Sequence, residues 1–212
     1  MSETDFYENI ASALGRPMPQ STEKPTLKLP PLAEQSMNQE TLLEHFAKNF
    51  EALSGIFIRA RDWQEVVQQV RSIMAELQIE EKDVAIWRGS ELIELIKAFP
   101  DFYKEGQIKK VEKSLLGITW AHGAIAETGT VALMAGSEQN RSNSLLPPSH
   151  LAIFSQKELV ATLGEAFQRL AYKDYRALNL ITGPSRTSDI EMDLTIGVHG
   201  PGKMYIIYIE ST

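Results

Sequence analysis

From Asn38 onward the sequence alternates two grammars, and this alternation is the tightest constraint on its fold. Apolar stripes at helical spacing, each preceded by a capping residue, take turns with apolar runs of strand length. Leu42, Phe46, Phe50 and Leu53 form the first stripe. With Asn38 as its cap, and Met37 and Leu42 placed to staple across that cap, a helix over about 38–54 is predicted. "GIFIRA" then reads as a short buried strand. Asp62 with Glu65 reads as a capping box before the stripe Trp63, Val66, Val67, Val70, Met74, Leu77. The order repeats with "VAIW" as a strand and a helix capped by Ser90 that stops before Pro100, where ring sterics oppose continuation. Further on, "LAIF" is a strand, and Ser155 with Glu158 predicts a box opening a helix that carries Leu159, Leu163, Phe167 and Leu170. "NLIT" and "YIIYI" are late strands. Strands separated by helices need crossover connections, so the expected class is α/β, a doubly wound, mostly parallel sheet with helices on both faces.

The first 36 residues follow different rules. Phe6, Ile10 and Leu14 recur every four residues, marking a short amphipathic helix that can dock on the core or on a partner. Five of the ten prolines (Pro17, Pro19, Pro25, Pro30, Pro31) then fall within one stretch, where fixed φ angles and missing N–H donors oppose helix and sheet. The expected organisation is a helix and Pro-rich strap over 1–36 and one α/β domain over 37–212.

Composition narrows the function. A net charge of −7 argues against an extended phosphate-backbone footprint, so nucleic acid is not expected as a partner. Cysteine is absent, which removes disulfides, thiolate nucleophiles and any iron–sulfur cluster held by thiolates of this chain. Redox metal chemistry would therefore reside on another protein. The acidic N-terminus lacks the basic and apolar regions of a secretory signal, and no run approaches the length of a membrane helix. A cytoplasmic protein without membrane insertion is expected.

In open α/β sheets, ligands collect beyond the carboxyl ends of strands, so polar stretches next to strands are the candidates. In "AETGTVAL", Glu127 precedes a Thr128-Gly129-Thr130 step that leads into an apolar run. It can act as base, nucleophile or acceptor; equally, Glu127 and Thr128 can satisfy turn donors while Gly129 permits the bend. In "TGPSRTSDIE", Ser188 with Glu191 matches a capping box. Free N–H groups would cluster there beside Arg186 and the hydroxyls of Ser185 and Thr187, a site suited to a carboxylate or phosphate. The competing reading has Asp189 and Glu191 complementing the helix dipole and pairing with Arg186. Arg141 is a second loop cation able to clamp an acidic ligand together with Arg186.

His122, His150 and His199 lie in or beside these stretches, but no pair has local zinc-ligand spacing, and no metal is assigned. His199, in the glycine-flanked "GVHGPG", is the candidate acid or base. P-loop, dinucleotide-fingerprint and nucleophile-elbow signatures are missing. Trp63 and Trp87 fit core positions, and Trp120 either lines a pocket or joins the core.

The stretches "IAETGTVAL", "SLLPPSHLAIF", "ITGPSRTSDIE" and "GVHGPGKMYIIYI", in this order, closely resemble the LutC/YkgG family of lactate utilization proteins, the LUD domain. The resemblance spans roughly residues 40–210. It implies a fold like the NagB/RpiA/CoA transferase group, with a small-molecule cleft at the strand ends. It also implies a role beside iron–sulfur partner proteins in oxidising L-lactate to pyruvate, with the clusters on those partners. Carried over by position, Glu127, Thr128, Gly129 and Thr130 match the family's E-T-G-T step, Thr182 through Glu191 its T-G-P-S-R-T-x-D-I-E block, and His199 its V-H-G-P turn. On this reading Arg186 and Arg141 hold the carboxylate of a 2-hydroxy or 2-oxo acid, and His199 or Glu127 handles its hydroxyl proton. Two rival functions stay open: an assembly subunit for the iron–sulfur proteins that performs no chemistry, and, by fold analogy alone, an acyl-CoA- or folate-type enzyme.

Overall fold

The structure, a computed structural model, describes residues 3–15, 38–104, 107–136, 139–171, 175–188, 194–196 and 200–210. The chain divides into two units, Met1–Ser36 and Met37–Thr212. In the first, α1 (Glu3–Ala13) leaves Phe6, Tyr7, Ile10 and Leu14 exposed. The Pro-rich strap after it, and Met37 of the expected staple, fall outside the described residues.

The second unit begins with α2 (Gln39–Glu51), capped by Asn38, whose side chain accepts from the Thr41 backbone nitrogen at 2.8 Å. Next come β1 (Ile56–Ala60) and α3 (Trp63–Leu77). Asp62 accepts from the Glu65 nitrogen at 2.9 Å, as a capping residue should. The reciprocal half of the expected box is different: Glu65 accepts from the backbone nitrogen of Arg61, at 2.7 Å. β2 (Val84–Ile86) leads to α4 (Ile93–Ala98) through a single 3₁₀ turn at Ser90–Leu92. Ser90 does not cap that helix; its hydroxyl lies 3.3 Å from its neighbour Glu91, and Leu92 occupies the cap position without a side-chain bond. The helix does end before Pro100.

α5 (Ile108–Val111), β3 (Leu116–Trp120), β4 (Gly123–Ile125), β5 (Thr130–Ala135), α6 (Ser142–Leu145) and β6 (Ser149–Ser155) follow. The Ser155–Glu158 capping box forms, with Glu158 accepting from the Ser155 nitrogen at 2.9 Å. It opens one 3₁₀ turn rather than the expected helix. The chain then enters β7 (Leu159–Val160), and only afterwards α7 (Leu163–Leu170), capped by Thr162. Thus Leu159, expected on the helix, sits in a strand. β8 (Ala177–Ile181), β9 (Arg186–Ser188), β10 (Leu194–Ile196) and β11 (Lys203–Ile209) complete the order. Ser188, expected to cap a helical turn, ends a strand that pairs antiparallel with β10, Ser188 opposite Leu194. Residues 189–193 between them lie outside the described residues.

Five strands form one parallel sheet in the order β1-β11-β6-β3-β2. Strand alternation assigns its faces. Gly117 and His150 are register partners, and a Cβ at Gly117 would lie 1.8 Å from the Asn143 carbonyl oxygen, so α6 covers their face closely enough to demand glycine. The same face carries Phe57 and Phe154, which meet Phe46 of α2 at ring separations of 6.0 and 5.1 Å. The opposite face carries Tyr205, whose hydroxyl donates to Glu76 of α3 at 3.0 Å, and Trp120, which stacks on Trp63 at 6.4 Å. Trp120 therefore belongs to the core rather than to a pocket. Helices cover both faces, as a doubly wound α/β sheet requires. Phe46, Phe50, Phe154 and Ile206 are wholly buried, each side chain contributing about 1.5–3 kcal/mol by leaving water.

A second sheet, β7-β4-β5-β8, was not foreseen as a separate layer. Its β4, β5 and β8 are antiparallel, and only β7 runs parallel to β4.

Candidate functional site

The "AETGTVAL" stretch is a hairpin: β4 and β5 pair from Ile125 opposite Thr130, and residues 126–129 make the turn. Gly129 has φ +64, and a Cβ there would come within 2.4 Å of the Phe50 backbone nitrogen. Both facts call for glycine. The last turns of α2 thus press directly on the hairpin, and Asn49 fixes the contact by donating to the carbonyls of Ala126 and Glu127 at 2.8 and 3.1 Å.

From this turn three threonine hydroxyls run in a chain. Thr128 meets Thr130 at 2.7 Å, and Thr130 meets Thr182, at the end of β8, at 2.8 Å. Thr130 is buried, whereas Thr128 and Thr182 are exposed, so the chain leads from the interior to solvent. After Thr182 the backbone bends at Gly183 and reaches Arg186. Its Nη2 donates to the Ser54 hydroxyl at 2.9 Å, just beyond α2. Ser54 has φ +68, a left-handed conformation that turns the chain sharply from the helix into β1. Arg186 is exposed, and a guanidinium with five N–H donors keeps capacity for an anion beyond this one bond.

The other two stretches join by backbone bonds. The Ser185 nitrogen donates to the Pro201 carbonyl at 2.8 Å, which sets Gly200–Gly202 against "GPSR". The Gly202 nitrogen donates to the Pro148 carbonyl at 2.9 Å, which sets it against "LPPSH". Four stretches far apart in sequence therefore meet. They do so at the amino ends of β1, β6 and β11, immediately before Ile56, Ser149 and Lys203, not beyond the carboxyl ends where an open α/β sheet commonly binds ligands. The second sheet supplies the hairpin that builds this end of the molecule.

Not every expected residue takes its expected part. Glu127 is exposed, and its Oε1 accepts from the Leu163 backbone nitrogen at 2.8 Å, the first residue of α7. That bond makes Glu127 an anchor for a helix N-terminus, a role that its sequence reading did not include. Arg141 precedes α6, which packs on β3 and β6, and no hydrogen bond among the described residues links it to Arg186. Asp189, Glu191 and His199 lie outside the described residues, and of Thr187 only the backbone is described, paired with Thr195. Sequence reasoning did not select Asn49 or Ser54. The signal for Asn49 was a residue of poor helix propensity near the end of a helical stripe.

The two described histidines of these stretches are held by the fold. His122 Nδ1 accepts from the Met134 nitrogen at 3.2 Å. His150 is fully buried with Nε2 2.9 Å from the Thr119 hydroxyl, and burial pushes its pKa down to about 3. It is neutral at physiological pH. Among the described residues no group of three His, Asp or Glu is placed to hold a metal ion, and no helix is long and apolar enough to cross a membrane.

Comparison with known proteins places this geometry among relatives. Residues 43–209 match the LUD domain. Lactate utilization protein C of Anoxybacillus flavithermus is 28% identical over 96% of this chain and 97% of its own length. Its namesake from Macrococcus caseolyticus is 30% identical over 97% and 94%. Among solved structures, a DUF162 family protein from Deinococcus radiodurans superposes with a TM-score of 0.62 at 17% identity, covering 82% of this chain and 99% of that one. This last likeness speaks for the fold.

Proposed function

The chain belongs to the LUD domain family, and from that premise we propose that it is a component of L-lactate utilization that binds a small carboxylate and acts beside iron–sulfur proteins. The relatives named lactate utilization protein C, which align over nearly their whole length, support the role. The chain has no cysteine with which to hold a cluster, so the electrons of lactate oxidation pass to partners that do.

One observation carries the ligand assignment: Arg186 is presented to solvent at the junction of the four stretches, next to a turn that reaches the Thr182–Thr130–Thr128 hydroxyl chain. A guanidinium fork and neighbouring hydroxyls recognise a 2-hydroxy or 2-oxo acid by its carboxylate and its adjacent oxygen. In this proposal Arg186, with Ser185, Thr187 and Thr128, binds the acid, and Gly129 and Thr130 shape the turn. His199, next in sequence to Gly200, accepts the hydroxyl proton. Arg141, Asp189 and Glu191 are further candidate contacts for the acid in this proposal. Glu127 positions α7 rather than moving a proton.

The test is a thermal-shift series with L-lactate, pyruvate and glycolate, followed by reconstituted lactate oxidation with and without this chain. A ligand at a hundred times its Kd adds about 2.7 kcal/mol to stability, a readily measured rise. Arg186→Ala abolishes the rise while leaving the unliganded midpoint near the wild-type value. An unchanged rise in that variant removes the ligand assignment, and lactate oxidation that proceeds equally without the chain removes the role.

A second reading, an assembly subunit, rests on α1, whose Phe6, Tyr7, Ile10 and Leu14 are exposed. It predicts that removing residues 1–36 weakens association with partner proteins and leaves the carboxylate response intact.

A further inference from the structure

At the edge of the parallel sheet formed by β2, the strand farthest from β1, a cavity of about 730 Å³ opens. Five cations line it, Lys82, Arg88, Lys104, Lys110 and Lys113, against two acids, Asp83 and Asp101. Lys82 is paired with Glu80 at 2.6 Å, so among the described residues four cations face two acids, a surplus of two positive charges in a chain whose net charge is −7.

The lining is also held in place. Tyr103 extends the sheet beyond β2: its nitrogen donates to the Val84 carbonyl at 2.8 Å and its carbonyl accepts from Ile86 at 2.9 Å. Phe102, buried beside it, stacks on Phe99 at 4.6 Å with the rings nearly parallel. Lys104 directly follows the bridge residue Tyr103, and its Nζ donates to the Pro100 carbonyl. On the facing wall, the buried Ser114 hydroxyl donates to the Lys110 carbonyl at 3.2 Å, and Lys110 Nζ lies 5.1 Å from the Tyr103 ring centre. No ion pair among the described residues engages Arg88 or Lys113.

We infer that this cavity binds a small polyphosphate-bearing metabolite of nucleotide size, at a site separate from the Arg186 junction. The volume is that of a small-molecule pocket. The surplus of two positive charges calls for a ligand carrying more than one negative charge. The lysines are compact point charges that bind phosphate oxygens, and Arg88 adds a planar fork that a phosphate can accept in two bonds. The inference does not depend on the lactate reading, since it rests on different residues.

Titration calorimetry with ATP, tripolyphosphate and adenosine tests it. ATP and tripolyphosphate bind, adenosine does not, and affinity falls as salt rises because the contacts are ionic. The double variant Arg88→Gln, Lys113→Gln weakens ATP binding by about tenfold or more, the equivalent of losing charge-assisted contacts, with the circular dichroism spectrum unchanged. Lys104→Gln, on the other wall, shifts affinity in the same direction and serves should the double variant misfold. Arg186→Ala leaves ATP binding as it is. The assignment is overturned if neither polyphosphate binds, if binding survives the cavity substitutions, or if Arg186→Ala abolishes it. Binding of a short RNA without binding of either polyphosphate overturns it too.

Discussion

The Glu127 carboxylate accepts a 2.8 Å hydrogen bond from the backbone nitrogen of Leu163, thirty-six residues further along the chain. This bond ties the β4–β5 hairpin turn to the start of α7, whose first N–H groups have no partner within the helix. Thr162 takes the Glu165 nitrogen at the same end, so two side chains share the orphan donors, while Glu165 takes the nitrogen of Ala161 just before the cap. Replacing Glu127 by alanine frees one of them and removes a favourable charge at the helix N-terminus. The expected loss is about 0.5–2 kcal/mol, with Glu127→Gln retaining part of it as a neutral acceptor. Urea denaturation of the two variants measures this. Equal stability of Glu127→Ala and the wild type would mean that the bond contributes nothing.

Gly129 permits the approach of α2 to the same turn. An alanine there must adopt φ +64 and place its Cβ 2.4 Å from the Phe50 nitrogen, which belongs to backbone and cannot swing aside. The left-handed conformation alone costs a non-glycine residue about 1–3 kcal/mol, and the steric conflict adds to it. Gly129→Ala is therefore expected to destabilise the domain more than Glu127→Ala does. Denaturation midpoints of the two, compared under one condition, decide the order.

These two residues show what the sequence reveals and what it hides. Helices α2 and α3 were legible because cap and stripe agree, Asn38 and Asp62 each bonding the backbone three residues on. The Ser155–Glu158 box was equally legible, and it forms, yet no helix follows. Leu159 and Val160 instead pair with Ala124 and Ile125, and both are buried on doing so. A long-range strand partner outweighs a local cap there, and no local pattern announces it. Ser188 ends β9 opposite Leu194, and Glu191, its partner in the expected box, lies outside the described residues. The candidate site divides likewise. That four stretches carry polar chemistry was readable residue by residue, but their junction depends on the Thr130–Thr182 and Ser185–Pro201 contacts and on Asn49 and Ser54 of another element.

Thr130 lies at the centre of that junction. Its hydroxyl is the bridge between Thr128 and Thr182, and Thr130→Val keeps the side-chain shape while removing the bridge. Because Thr128 and Thr182 are exposed and regain water, the net cost is that of ordinary hydrogen bonds, about 0.5–1.5 kcal/mol each. The loss should be local, so amide hydrogen exchange at Val131 and Ile181, which are register partners, speeds up more than exchange in β6. Uniform acceleration across both sheets would instead indicate general destabilisation.

His150 gives the protein a built-in sensitivity to acid. Burial lowers its pKa from 6.5 to about 3, and burial is the cause, no charged neighbour being involved. Between those values the unfolded chain binds a proton at this residue and the folded chain does not. Stability from this group is thus fully present above pH 6.5 and is lost as pH falls toward 3, at up to about 1.4 kcal/mol per pH unit. His150→Gln preserves a polar end for the Thr119 hydroxyl but has no titrating ring. The variant is less stable than the wild type at neutral pH, because the imidazole packs beneath α6. As the pH is lowered from 7 to 4 the wild type loses stability faster, and the gap between the two narrows. Urea denaturation across this range measures the gap directly. Parallel curves would show that the ring takes up its proton in the folded state as readily as in the unfolded one, and that its burial carries no electrostatic penalty.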